Sequence, residues 1–258
     1  MVAGCLAAPR LTGYQAKGFL LYAPASQKDL AAVEAIENFL EEAASYLGLA
    51  VQSAGTLSIY VYRWRLDLWR HLDTVCPQWR WRRAACCEIE GGYMIGVSGT
   101  RDSPLPGSDL RHELTHYLLA SHFSDVAPWI DEGLAGVLER EIPGEGLEDH
   151  TEGVHRILKE AVSQDLKSLL SVLPGRKLSH EQYRLAWAWT YALLTGIPEG
   201  KSRVIEYLTR THSGLDQEKL FASVWGADLE HVLEWLTRTT VPAGAPASGE
   251  SSGIAPRG

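Results

Sequence analysis

The chain has 258 residues, 45% of them hydrophobic and 22% charged, with a formal net charge of −8. That balance excludes wholesale disorder, and the acidic surplus argues against nucleic-acid binding, because phosphate recognition wants a basic face. No run of about eighteen apolar residues occurs, so nothing in the sequence reads as a membrane-spanning helix.

Residues 1–13 read as an N-terminal tail. Within it, Val2-Ala3-Gly4-Cys5 resembles the acceptor site of a bacterial lipoprotein, a run of small residues before a cysteine that becomes lipidated. On that reading the native start lies upstream, and Cys5 anchors an extracytoplasmic domain at a membrane surface. The alternative is a cytoplasmic protein with Cys5 a free thiol.

Gly18 to Tyr22 reads as a buried strand. Residues 27–47 read as a helix, with Leu30, Val33, Ile36, Leu40, Ala43 and Leu47 at spacings of three and four and Gly48 as its stop. From Thr56 to Tyr62, Leu57, Ile59 and Val61 alternate with Ser58, Tyr60 and Tyr62, the pattern of a half-buried strand. Residues 64–72 read as a short helix with Leu68, Trp69 and Leu72 inward. From Gln78 to Arg83, tryptophan and arginine interleave. Such a run either stacks on a ligand or binds an acidic group, or it is an exposed segment whose tryptophans pack inward. Nine tryptophans in the chain suggest a well-filled core or an aromatic-lined cleft. Cys5, Cys76, Cys86 and Cys87 form no C-x-x-C pair, which argues against a zinc ribbon or a thioredoxin-type site. Cys76 can pair with Cys86 or Cys87 in an oxidising compartment, or the three are buried thiols in a reducing one.

Gly91 to Ser98 reads as the strand before the central helix. Pro104 and Pro106 then break the chain, and Ser108 is placed to cap a helix containing His112-Glu113-Leu114-Thr115-His116. In H-E-x-x-H on a helix, positions i and i+4 share a face, so both imidazoles reach one metal ion while Glu113 stands beside it. Leu110, Leu114 and Leu118 give this helix a buried stripe. The histidines lie opposite with Leu119, so theirs is not a plain solvated face. Pro128 opens a second helix with Trp129, Leu134, Val137 and Leu138 toward a core, and Glu132 on it is a candidate third ligand.

His122, six residues after His116, is a rival ligand at the metzincin spacing. The glycine that such a turn needs is Leu119 here, and the only methionines, Met1 and Met94, lie upstream of the place where a metzincin methionine turn belongs. Both points favour Glu132.

At H-E-L-T-H followed by W-I-D-E-G-L-A the chain resembles the gluzincin metallopeptidases, specifically the bacterial peptidase-MA-like proteins. The motifs span Arg111 to Glu139, and weaker likeness runs through Tyr183 to Leu194. The resemblance implies an α+β, zincin-like fold, with a small N-terminal sheet and active-site helix over residues 14–126 and a helical C-terminal lobe over 127–240. It implies zinc held by His112, His116 and Glu132, and Glu113 as general base. It also implies a tyrosine from a later helix as oxyanion donor; Tyr183 is the first candidate and Tyr191 the second. The strand before the active-site helix is expected to lie at the sheet edge and to pair with an extended peptide. One position departs from the family. Many gluzincins carry an aspartate four residues after the ligand glutamate, and here that position is Gly136. Glu139 and Asp131 are the candidates to support the ligand histidines instead.

Residues 142–152 read as an acidic connector, and His150 and His155 as surface residues. Helices are expected over 154–172, Ser179 to Leu194, 201–211, 215–225 and 228–238. Residues 241–258, rich in proline, glycine and serine, read as disordered. The sequence thus points to a zinc peptidase acting on peptides or proteins. It is read as an endopeptidase because no G-x-M-E-N run is present to grip a free N-terminus. The alternative is a zincin-fold binding or scaffold protein that holds zinc without turnover.

Overall fold

The computed structural model describes residues 11–24, 30–51, 55–99, 107–141, 166–173, 176–212 and 214–239. The Val2–Cys5 motif, Pro104, Pro106, the 142–152 connector, His150, His155, most of the 154–172 helix and the 241–258 tail lie outside them.

Five strands form one mixed sheet: β1 (Leu11–Gln15), β2 (Phe19–Pro24), β3 (Thr56–Tyr62), β4 (Ala84–Ile89) and β5 (Gly92–Ser98), in the order β1-β2-β3-β5-β4. The three inner strands β2, β3 and β5 run parallel, and the outer strands β1 and β4 are each antiparallel to their neighbour. Two expectations are corrected here. The expected tail reaches into β1, whose residues pair with β2 from Leu11 onward. Its sequence, L-T-G-Y-Q, is glycine-containing and does not alternate, so the order comes from the ladder to β2 rather than from an apolar pattern. The strand before the active-site helix, β5, is interior; the edge is β4, which folds back beside β5 through Gly91 at φ +85°.

The sheet has two covered faces because β3 alternates. Leu57, Ile59 and Val61 face α1 (Leu30–Leu47) and α3 (Ser108–His122). Tyr62 points to the other face, where α2 (Arg65–Val75) packs Leu68 and Leu72 over it together with Met94, Cys76 and Cys87, so it is buried rather than half-exposed. The α1 helix ends where the sequence indicates. Gly48 takes φ +70°, and the Leu49 N–H reaches back to the Ala44 carbonyl at 2.8 Å, a glycine-based helix stop. Beyond α3 the described elements are all helical: α4 (Pro128–Glu141), α5 (Leu166–Leu170), α6 (His180–Thr195), α7 (Gly200–Arg210), α8 (Gln217–Trp225) and α9 (Leu229–Thr239). Ser179 caps α6 in a reciprocal box with Gln182, whereas α3 is capped by Gly107 without any side-chain bond, so Ser108 is not its cap.

The main apolar cluster is continuous from Phe19 in β2 to Val232 in α9, which makes the chain an α+β fold. Trp129 is fully buried at its centre, edge-on to Tyr207, Phe221 and Trp225, and its indole N–H donates to the Tyr207 hydroxyl at 3.1 Å. This aromatic cluster fixes the start of α4 against α7 and α8, and with it the position of Glu132 one turn on.

Candidate metal centre

The face of α3 that carries His112 and His116 is covered by α4. Thr115 and Leu119, the residues between and beyond the histidines on that side, are fully buried. Arg111 ties the two helices by donating to the Glu139 carbonyl at 3.4 Å. This packing brings Glu132 to the histidines. Its Oε2 lies 3.2 Å from His112 Nε2 and 3.5 Å from His116 Nε2. Two ligands bound to one ion at about 2.0–2.1 Å with a tetrahedral angle lie about 3.3–3.4 Å apart, so the spacing already fits a metal.

Each histidine is oriented from behind. His112 Nδ1–H donates to Glu139 Oε2 at 2.9 Å, and His116 Nδ1–H donates to Asp131 Oδ1 at 2.8 Å. With Nδ1 committed to a carboxylate, Nε2 is the nitrogen turned to the shared point. Both sequence candidates for this support are used, one per ring. At Gly136 a Cβ would meet the Trp187 ring at 3.0 Å, tight enough that the ring would have to shift to admit the usual aspartate.

His112, His116 and Glu132 therefore form a group able to bind a metal ion, with ligand atoms all within 4.8 Å of one another. Two imidazole nitrogens and one carboxylate suit a borderline divalent cation and leave a coordination position open. His122 is elsewhere. Its Nε2 meets the Ala50 carbonyl at 2.7 Å and its Nδ1 the Leu118 carbonyl at 2.9 Å.

The charges of the site are interlocked. Burial opposes protonation of His112, but its hydrogen bonds to Glu132 and Glu139 more than offset this and raise its pKa to about 9. Burial also disfavours the charged form of His116, yet Asp131 and Glu132 hold its pKa well above the ordinary value. Glu132 itself is buried, and the two histidines hold its carboxyl far below the usual carboxylate range. Glu113 behaves differently. Burial raises its pKa, the histidines act in the opposite direction, and the Cys86 N–H supplies one hydrogen bond to its carboxylate.

These groups line a cleft of about 340 Å³, bounded by β4, α3, α4 and α6. The β4 wall has a definite polarity. The Ser98 N–H donates to the Arg83 carbonyl, so the alternation of an antiparallel ladder turns the main-chain groups of Ala84, Cys86 and Glu88 away from β5. Tyr183, at the start of α6, also enters the cleft and donates to Glu132 Oε1 at 2.8 Å. Burial, reinforced by the Glu132 charge, pushes its phenol up to about 12, while Arg82 acts to lower it. Tyr191 stacks on Trp187, 5.5 Å between centroids, and is not part of the cleft lining. The sequence reading missed Arg82 and Trp79 as lining residues and β4 as the wall; only the unexplained alternation of tryptophan and arginine marked that segment. Cys76, Cys86 and Cys87 are free thiols, so neither disulfide open in the sequence is formed; Cys76 lies in hydrogen-bonding contact with Cys87, and Cys86 faces the cleft.

Comparison with protein-family models and with curated proteins found no match.

Proposed function

We propose that this chain is a zinc-dependent peptidase with a zincin-like fold of the gluzincin kind, hydrolysing internal bonds of peptide or protein substrates. The observation that carries the reading is the relation of Glu113 to the metal-binding group. It adjoins both ligand histidines electrostatically, lines the same cleft, and is not among the three ligands. A purely structural metal site has no use for a carboxylate in that place.

His112, His116 and Glu132 would hold the ion. A zinc ion bound there supplies a Lewis acid that acidifies water and polarises a carbonyl oxygen. Glu113 takes the proton of the attacking water on its carboxylate and delivers it to the leaving nitrogen. The Tyr183 hydroxyl, one hydrogen bond from Glu132, is the donor for the oxygen that gains negative charge. Along the opposite wall, the outward main-chain groups of Ala84 and Glu88 pair with an extended peptide without regard to its side chains.

The test is cleavage of reduced, unstructured casein by zinc-loaded protein, with Glu113→Gln alongside. The expected result is cleavage by the wild type that chelation abolishes, and none by Glu113→Gln although it keeps its zinc. Zinc binding without cleavage of this or any other unfolded protein would return the chain to a metal-holding scaffold.

A further inference from the structure

Trp79, Arg82 and Tyr183 line the cleft. The Trp79 indole there carries two cations. The Arg82 guanidinium lies 5.4 Å from its ring centroid and the Lys177 ammonium 4.4 Å. The arginines around Arg82 are neutralised: Arg70 pairs with Asp67 at 3.6 Å, Arg80 with Asp73 at 3.3 Å, and Arg83 with Asp109 at 2.8 Å. Arg82 and Lys177 form no ion pair with a carboxylate among the described residues. They are held by neutral groups instead. Lys177 donates to the Gln78 carbonyl at 3.3 Å. The Arg82 backbone is pinned at both ends, its N–H on the Trp79 carbonyl at 2.9 Å and its carbonyl under the Trp69 indole N–H at 2.9 Å. The guanidinium reaches the Tyr183 hydroxyl, which itself bonds Glu132.

A chain of net charge −8 thus keeps two cations that have no carboxylate partner among the described residues on one aromatic platform, next to the group that would do the chemistry. A half-buried guanidinium is a rigid fork matched to a carboxylate, and an ammonium beside it adds a movable point charge. We infer that Arg82 and Lys177, both held against Trp79, form a subsite for a carboxylate of the substrate, so that the cleft selects peptides with an acidic side chain, or their own C-terminus, close to the reacting bond. This rests on the peptidase reading only for the word substrate; the binding preference stands on the cations themselves.

The experiment measures binding of peptides to the zinc-loaded Glu113→Gln protein, with the wild type assayed for cleavage of the same set. The probes are capped decapeptides with one glutamate walked through an Ala–Gly–Leu background, the matching glutamine peptides, and glutamine peptides with a free C-terminal carboxylate. The expected result is an acid-over-amide affinity ratio of about 10 or more, from the side-chain arm or the C-terminal arm. That ratio should collapse to below about 2 in Arg82→Gln, recover in part in Arg82→Lys, and fall by less in Lys177→Gln. A ratio near one in every arm, an unchanged ratio in both glutamine variants, or failure of every peptide to bind overturns the inference. Equal weakening of acid and amide peptides by Arg82→Gln also overturns it, because Arg82 would then only position Tyr183. If the ratio holds but the wild type cleaves none of the peptides, the subsite stands and the peptidase reading falls.

Discussion

Tyr183 and Glu132 share a 2.8 Å hydrogen bond on Oε1, the carboxylate oxygen opposite the one that faces the two histidines. The tyrosine therefore touches the metal-binding group through the carboxylate oxygen that does not face the histidines. Tyr183→Phe should retain zinc and lower kcat by roughly 10²–10³-fold with little change in KM, the signature of a donor used only in the transition state. Unchanged kcat would reduce Tyr183 to a support for Glu132.

Asp131 and Glu139 each orient one histidine, at 2.8 and 2.9 Å. Asp131→Asn and Glu139→Gln should each weaken zinc affinity by about 10–100-fold, because the amide replaces a charged acceptor and no longer fixes the imidazole tautomer. Competition with a chelator of known affinity measures this. Unaltered affinity in both variants would mean that the rings are oriented by helix packing alone.

Gly133, directly after the third ligand, packs α4 closely against α6. A Cβ at this position would clash with Thr190 Oγ1 and lie 2.6 Å from the Ala186 carbonyl oxygen. The second contact is backbone and cannot swing away. Gly133→Ala should cost about 2–4 kcal/mol in denaturant unfolding and disturb the Tyr183–Glu132 contact. A loss below about 0.5 kcal/mol would show that the two helices separate freely.

His71, on α2, accepts the Tyr62 hydroxyl at Nδ1 (2.8 Å) and points Nε2 at Met94 Sδ (3.1 Å). Burial lowers its pKa from the ordinary 6.5. The folded protein therefore favours the neutral ring, and the unfolded chain takes up the proton first as the pH falls. The stability this contributes is complete above pH 6.5 and is lost as the pH drops toward the folded-state value. Tm should fall between pH 8 and pH 5.5 in the wild type, and fall less steeply in His71→Phe. Identical slopes would assign the acid sensitivity to other groups.

The parts of this architecture that were legible in the sequence are those with a strong local signal. Leu57, Ile59 and Val61 marked β3 by alternation, Gly48 marked the end of α1, and Pro128 the start of α4; each holds in the structure. His112, His116 and Glu132 could be grouped because one helix turn and one known motif spacing define them. The illegible parts depend on pairing partners. β1 is ordered by its ladder to β2 and has too little apolar pattern of its own. That β4 and not β5 is the edge strand beside the cleft follows from strand order, which no periodicity encodes. Likewise, the segment from Gln78 to Arg83 showed its alternating chemistry, but only the fold separates Arg80 and Arg83, each paired with an aspartate, from Arg82, which enters the cleft.

The central claim is that His112, His116 and Glu132 together hold a metal ion. Zinc content by elemental analysis, after loading and exhaustive dialysis, tests it most directly in the wild type, Glu132→Ala and His122→Ala. A single tightly held zinc ion is predicted in the wild type and in His122→Ala, with most of it lost in Glu132→Ala. Zinc retained by Glu132→Ala and lost from His122→Ala would contradict the account.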